Sequence, residues 1–428
     1  MAGLAGRRVV LGVTGGIAAY KAVEVCRRLV DDGAHVSVVM TAGALRFVGE
    51  ATFSTLASEP VHRSLWDIGP AAEPPDGTYS SPIPHTRLGQ QADLVLVCPA
   101  TARLIGTYAA GISNDLLTAT LLATRAPVVL CPAMHTEMWE HPAVQDNLAL
   151  LERRGAHLVS PGEGRLAGGD VGRGRLAEPV DVLDAVRRLL TPPSLAGLRV
   201  VVSAGGTREP IDPVRFLSNR SSGKQGYAFA QVAAERGAKV TLVTTVERPV
   251  PRDVETVPVE TAAQMLEAMR RYADGADVIV MAAAVADFRP SQVAEGKIKK
   301  GAGVPVVALE RTEDILADLG QRKRAGQVLV GFAAETSELR ANASDKLAAK
   351  RADLIVANDV SVPEVGFEHD TNAVVVLVRD GREVEVPLRD KRQVAVAVLD
   401  VVESLLGPTA DRGGDQPKGH GGVDGDSR

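Results

Sequence analysis

The sequence predicts an α/β protein of two doubly wound, Rossmann-like domains in tandem, with a disordered C-terminal tail. Three observations predict it. Short apolar runs recur and alternate with helix-length segments, the pattern of parallel strands buried between crossover helices. A glycine-rich turn follows the first run, and a second glycine pair follows a run near residue 200. Between the two series the alternation stops at Thr191-Pro192-Pro193-Ser194, a proline break suited to a linker.

Taken in order, Arg7 to Val13 reads as a buried strand, Ile17 to Val30 as a helix and His35 to Met40 as a second strand, a βαβ unit with Gly12, Gly15 and Gly16 in its turn. Gly69 to Pro82, rich in Pro, Gly, Ser and Asp, reads as a mobile surface loop. Leu94 to Cys98 and Val128 to Cys131 are strands ending at proline, interleaved with helices at Thr101 to Ala110 and Asn114 to Ala123. The series restarts with a strand at Leu198 to Ser203, the pair Gly205-Gly206, a helix from about Tyr227 and a strand at Lys239 to Thr244. Val278 to Ala284, Val328 to Phe332 and Leu354 to Ala357 extend the second sheet. Ala373 to Arg379 and Arg382 to Pro387 form a hairpin around Asp380-Gly381. The expected domains are therefore 1–190 and 195–406, and 407–428, which is Gly, Asp and Pro rich, is expected to be disordered.

With 428 residues, 45% of them hydrophobic, the chain can bury two cores. A net charge of −5 over that length argues against nucleic acid as partner and for small metabolites. Cys26, Cys98 and Cys131 read as buried thiols of a reducing compartment. No leader-like or membrane-spanning run is evident, so the expected location is the cytoplasm.

Gly12-Val13-Thr14-Gly15-Gly16-Ile17-Ala18 stands where a doubly wound fold holds phosphate, at a helix N-terminus. A nicotinamide site would also need an acidic residue closing the second strand, but that strand ends Val39-Met40-Thr41. FMN fits better: one phosphate suits Gly15-Gly16, and Pro99-Ala100-Thr101-Ala102 is small enough for a flat ring. On these loops alone, ordinary tight βα turns account for the pattern equally well. In the second domain, Asp212 to Lys224 is longer than a plain connection, with Arg215 and Lys224 to neutralise an anion and Asn219 to grip a polar group. Ser221-Ser222-Gly223-Lys224 is not a Walker loop.

Three further features narrow the choice: His85 in Pro84-His85-Thr86-Arg87-Leu88, the pair Asn114-Asp115, and Pro132-Ala133-Met134-His135-Thr136-Glu137-Met138-Trp139. With Gly-x-x-Gly-Gly-Ile-Ala-Ala-Tyr-Lys at Gly12 to Lys21, they resemble the flavin-dependent phosphopantothenoylcysteine decarboxylases. To about Leu406 the chain resembles the bacterial bifunctional coenzyme A biosynthesis family, in which that decarboxylase is fused to phosphopantothenate–cysteine ligase.

For the first domain the resemblance implies an FMN site at Gly15, Gly16, Ile17, Ala18, Thr41, Ala100, Thr101 and Ala102. It implies that the substrate's thiol is oxidised to a thioaldehyde, that carbon dioxide leaves, and that the enethiolate is then reduced. His85 matches the family's active-site histidine, whose expected role is proton transfer or substrate positioning. Asn114, His135 and Met138 are expected to hold substrate. Two positions depart from the family. His135 stands where relatives carry an asparagine that holds the substrate carboxylate, and an imidazole also donates a hydrogen bond. Gly168 stands where relatives carry the cysteine that completes reduction, which leaves that proton to another donor, water included.

For the second domain the resemblance implies CTP, an acyl-cytidylate and attack by cysteine's amine, with magnesium and lysines stabilising charge on the phosphates. Asn219 is expected to handle the acyl-cytidylate, and Arg215 and Ala283 to contact phosphopantothenate. The expected CTP contacts are Met281, Ala282, Ala283 and Asp287, then Lys297, then the turn Glu313-Asp314-Ile315-Leu316, and finally Phe332 with Lys346 and Lys350. Lys346 and Lys350, four apart on a helix, would clamp phosphates together. Relatives often have Asn-Pro at Thr312-Glu313 and histidine at Arg220. No metal ligand is readable. The resemblance also implies a homo-oligomer, decarboxylase trimers joined through ligase dimers into a dodecamer. Rival readings are a two-domain NAD(P)-dependent oxidoreductase, opposed by the missing ribose clamp, and a flavoprotein regulatory subunit with an impaired decarboxylase, which Gly168 keeps open.

Overall fold

Alternation of inward and outward side chains along each buried strand sorts the chain into layers, and the computed structural model describes them for residues 4–66, 81–169, 171–250, 253–299, 306–335, 339–359 and 369–406. Two compact units result, Met1–Pro193 and Ser194–Arg428. Most of the loop expected at 69–82, and the tail at 407–428, lie outside the described residues.

In the first unit, strands β1 (Arg8–Val13), β2 (His35–Met40), β3 (Leu94–Ala100), β4 (Val128–Pro132) and β5 (His157–Leu158) form a parallel sheet of order β2-β1-β3-β4-β5. Val9, Leu11 and Val13 point to one face, where α1 (Lys21–Asp31), α2 (Glu50–Leu56) and α8 (Pro179–Leu190) cover them. Val10 points to the other, with α3 (Pro84–Gln91), α4 (Ala102–Ala109), α5 (Leu116–Ala123) and α7 (Pro142–Arg153). The order in which strands are added reverses between β1 and β3, which run parallel, and in such sheets a crevice opens beyond the carboxyl ends there. α6 (Thr136–Glu140) and an antiparallel hairpin, β6 (Gly162–Arg165) with β7 (Val171–Arg175), complete the unit. All three cysteines are buried and free.

The second unit repeats the plan. Its strands are β8 (Arg199–Ala204), β11 (Lys239–Thr244), β12 (Val254–Pro258), β13 (Val278–Met281), β16 (Val328–Glu335), β17 (Leu354–Asp359), β18 (Thr371–Val378) and β19 (Glu383–Asp390), and their order is β12-β11-β8-β13-β16-β17-β18-β19. The switch lies between β8 and β13, and β18 and β19 append an antiparallel edge. α9 (Lys224–Glu235) and α13 (Lys391–Leu406) cover one face; α10 (Ala262–Ala273), α11 (Ile315–Arg322) and α12 (Leu339–Ala349) cover the other. Two short ribbons, β9 (Arg208–Pro210) with β10 (Phe216–Ser218) and β14 (Phe288–Pro290) with β15 (Leu309–Arg311), project from the loops.

Several expectations shift. The strand expected to reach Ala284 ends at Met281, because Ala283 and Ala284 turn their N–H groups to Ser203 Oγ and Gly205 O. The helix expected from Tyr227 starts at Lys224, since Gly223 takes the left-handed φ of 75° that caps it. Lys350 follows the end of α12 instead of lying within it.

Candidate functional site

In the first unit the switch point is closed by one hydroxyl. Thr14 Oγ1 donates to Pro99 O at 2.6 Å and accepts from Thr101 N at 3.2 Å, tying the end of β1 to the end of β3. Thr101 in turn caps α4, its Oγ1 accepting from Leu104 N. Gly15 runs against Gly43 so closely that a Cβ would stand 2.7 Å from Gly43 C. A cavity of about 1020 Å³ opens above these turns. Of the positions expected to hold a cofactor, Gly15, Gly16, Ile17, Ala18, Thr41, Thr101 and Ala102 line it. Ala100 does not: it is fully buried in the core beneath.

Asn114, His135 and Met138 line the same cavity. Asn114 precedes a capping box in which Asp115 accepts from Thr118 N at 2.8 Å and anchors α5. His135 is the N-cap of α6, its Nδ1 3.6 Å from Glu137 Oε2. The β6–β7 hairpin is latched onto this corner: Met134 N donates to Gly174 O at 3.0 Å and Thr136 Oγ1 to Arg173 O at 2.9 Å. Gly174, at φ 133°, leaves no room for a side chain, since a Cβ would stand 2.2 Å from Met134 O. The latch brings Arg165, Leu166, Ala167 and Arg175 to the cavity wall, with Gly168 in the turn beyond. Lys21 and Arg175 both reach Glu178, at 3.1 and 3.0 Å.

His85 lies elsewhere. It sits half-buried on α3, which packs against α5, and is not among the residues lining the cavity. Its Nδ1 is buried with no hydrogen-bond partner among the described residues.

In the second unit Asn219 reaches across the switch point, its Nδ2 donating to Ala284 O at 3.3 Å and Val285 O at 3.2 Å. Asp212 organises the neighbouring loops. Its buried carboxylate accepts from Val214 N, Arg215 N and Ile298 N at 2.8, 2.9 and 3.2 Å. Burial pushes this carboxyl up, but those N–H donors and the Arg215 guanidinium outweigh it and hold it below the usual carboxylate range. Arg215 also donates to Ile298 O, so Arg215 and the exposed Lys297 share one scaffold.

Ala286 N donates to Thr207 Oγ1, and Thr312 N donates to Asp287 O at 3.0 Å, which brings the 313–316 turn to the exposed Asp287. Asp314 caps α11 and pairs with Lys350 at 2.5 Å. Burial raises the Asp314 carboxyl, and Lys350, Ala317 N and Lys346 together pull it below its ordinary value. Lys346 Nζ donates to Phe332 O at 2.8 Å. Lys350, whose N–H still donates to Lys346 O at the end of α12, and Lys346 thus make different direct contacts while both lower the Asp314 carboxyl. Met281, Ile315 and Leu316 are core residues, so ligand contact at these positions falls to their backbone.

Thr14, the Lys21–Glu178–Arg175 network and Asp212 were not singled out in the sequence as site residues. Only Asp212 carried a local signal, the Asp-Pro-x-Arg spacing of an Asx-type turn. Among the described residues no group of three His, Cys, Asp or Glu side chains is arranged to hold a metal, and no helix is long and apolar enough to cross a membrane.

Known proteins divide the chain the same way. Residues 3–191 match the Flavoprotein family, and 195–406 match the DNA/pantothenate metabolism flavoprotein C-terminal domain. The coenzyme A biosynthesis bifunctional protein CoaBC of Mycobacterium tuberculosis is 48% identical over 417 residues, covering 94% of this chain and 97% of that one. The chain belongs to the coenzyme A biosynthesis bifunctional protein family. CoaBC of Bacillus subtilis, a second member, is 44% identical over 95% of this chain and 99% of its own. The crystal structure of a CoaBC C-terminal domain, 43% identical, covers 50% of this chain and 98% of that one with a TM-score of 0.44.

Proposed function

We propose that the second unit joins cysteine to phosphopantothenate with CTP and that the first decarboxylates the product, phosphopantothenoylcysteine, to phosphopantetheine. The observation that carries this is the near-full-length identity to CoaBC, with both family domains in order.

FMN fits the first cavity, because the contact of Gly15 with Gly43 leaves a floor of backbone and small side chains, flat enough for a ring. The Gly15–Ala18 turn would take its phosphate, with Lys21 and Arg175 near enough to add positive charge. When bound, FMN would supply the hydride-accepting and hydride-donating chemistry that this reaction requires. The chain's residues do the rest. Asn114 and His135 hold the substrate's polar end, Met138 packs on it, and the latched β6–β7 hairpin keeps water out. His85 serves proton transfer or positioning from its place on α3, reaching the cavity of an adjoining copy in a homo-oligomer of up to twelve chains.

In the second unit, Arg215 and Lys297 receive phosphate groups, Asp287 and the 313–316 turn receive the nucleoside, and Lys346 and Lys350 trade their present partners for CTP phosphates carrying magnesium. Asn219 releases the carbonyls of Ala284 and Val285 to hold the acyl-cytidylate. The protein acts in the cytoplasm on small metabolites, with no nucleic-acid or membrane partner.

Incubating the protein anaerobically with phosphopantothenate, cysteine, CTP and magnesium tests this, with ATP in parallel. Phosphopantetheine and CMP are the expected products; no product with either nucleotide would sink the reading.

A further inference from the structure

Decarboxylation as proposed above brings two phosphate monoesters into one cavity, the cofactor's and the substrate's own, each carrying about −1.5 to −2 charges at neutral pH. The wall supplies its permanent cations in two separate groups. Lys21, Arg103, Arg165 and Arg175 all line the cavity, and among the lining residues Asp115 is the one carboxylate, already accepting from Thr118 N as the cap of α5. Lys21 and Arg175 form the first group, because both reach Glu178, at 3.1 and 3.0 Å. Lys21 opens α1 directly after the Gly15–Ala18 turn, and Glu178 precedes α8, so this group belongs to the face of the sheet that α1 and α8 cover. Arg103 lies in the first turn of α4, on the opposite face. Arg165 ends β6, opposing Val171 across the hairpin, whereas Arg175 opposes Gly162 at the hairpin's base. Three residues of strand, roughly 10 Å, separate those two levels. Among the described residues no ion pair joins Arg103 or Arg165 to a carboxylate, and both side chains are exposed, so an entering anion reaches them.

We propose that Arg103 and Arg165 form a second phosphate subsite, which holds the terminal phosphate of phosphopantothenoylcysteine while the Gly15–Ala18 turn with Lys21 and Arg175 holds that of the cofactor. The identity of the ligand rests on the decarboxylase reading above. A guanidinium keeps its charge at any pH a protein tolerates, and its planar fork matches two oxygens of a phosphate at once. Two such groups on one wall with no counterion repel each other, and a dianion between them turns that repulsion into attraction. The phosphate sits at the end of the substrate remote from the reacting cysteine. The pair therefore selects and orients the substrate without touching the reacting atoms, and its binding energy serves to hold the far end in place. Arg165 belongs to the hairpin already latched at Met134 and Thr136, so a phosphate shared with Arg103 adds a further tie, from the hairpin to α4.

The test gives the full chain, loaded with FMN and without CTP, either phosphopantothenoylcysteine or its unphosphorylated counterpart, pantothenoylcysteine, and measures carbon dioxide from each. The readout is the ratio of kcat/KM between the two substrates. Arg103→Met and Arg165→Met should each lower that ratio by roughly 10–100-fold, the usual worth of a hydrogen bond between charged groups, through a higher KM for the phosphorylated substrate. Arg103→Lys and Arg165→Lys should fall between, since an ammonium keeps the charge and loses the fork. Phosphopantothenoylserine and pantothenoylserine, which have no thiol to oxidise, repeat the comparison without turnover: titrated against flavin absorbance, they report on the first cavity alone. Flavin affinity, read from fluorescence, should hold in all four variants. An equal loss with both substrates would overturn the proposal, as would a parent protein that does not distinguish them. Lowered flavin affinity with the ratio intact would overturn it too, by assigning the pair to the cofactor's phosphate. A parent that prefers the phosphorylated analogue but releases no carbon dioxide would end the decarboxylase reading and leave the subsite standing.

Discussion

The two crevices occupy the same topological position and solve opposite problems. In the first unit the switch point is floored by backbone and small side chains, with Gly15 against Gly43 and Thr14 stitching β1 to β3. In the second it is crossed by polar and charged groups that already bind one another: Asn219 to two carbonyls, Arg215 to Ile298 O and Asp212, Lys350 to Asp314. A floor of close-packed backbone and small side chains suits a resident cofactor that stays through many cycles. A set of exchangeable polar contacts suits charged substrates that must arrive, react and leave.

The sharpest way to break this comparison is Asn219→Asp. A carboxylate facing the carbonyls of Ala284 and Val285 cannot donate to them or to a reacting phosphoryl group. Ligation should fall by about 10²–10³-fold, as for loss of a single catalytic donor, while decarboxylation of supplied phosphopantothenoylcysteine is unchanged. Loss of both activities from a folded variant would mean the crevices are not independent. Gly15→Val is the reciprocal. Overpacking against Gly43 costs about 1–3 kcal/mol, so flavin affinity, read from co-purified flavin fluorescence, should drop by roughly 10–100-fold with ligation intact.

Asp212→Asn addresses scaffold rather than contact. Weakening its charged hydrogen bonds, worth about 1.5 kcal/mol or more, should raise KM for phosphopantothenate and for CTP together by about tenfold, because Arg215 and Lys297 share its scaffold. A rise in KM for one substrate alone would show that the two loops are held independently of Asp212. The smallest effect concerns stability. His62, by hydrogen bond, pulls the Glu59 carboxyl down against its burial, and Ser37 adds to this, from 4.5 to about 2. A folded value below the unfolded one stabilises above about pH 4.5, and that contribution is lost as pH falls toward about 2. Denaturation of Glu59→Gln should therefore show a deficit at pH 5 that closes on acidification; a deficit constant with pH would remove Glu59 from the acid response.

The two sheets were legible because strands buried on both faces leave unbroken apolar runs, such as Val9 to Leu11 and Val278 to Met281. The short ribbons were not, since Arg208–Pro210, Phe216–Ser218 and Phe288–Pro290 are three residues each, too short for any period to register. α3 was hidden by Pro84, which reads as a breaker yet sits at the helix's first turn, where proline is tolerated. The cavity's floor could be read from its glycines. The separation of His85 from that cavity could not, because it depends on which face of α3 meets α5. Nor could the partners of Lys346 and Lys350, which are supplied by Phe332 and Asp314 from distant parts of the chain.

The pairing of Lys350 with Asp314 gives the second crevice an internal counterion. A monoanion offers no more than the carboxylate already there, so inorganic phosphate or chloride gains little by entering. A triphosphate brings several charges joined by one backbone and can displace internal partners at several cations for a single loss of translational freedom. On the proposed CTP reading, discrimination among anions would then begin with valence, before the base is recognised.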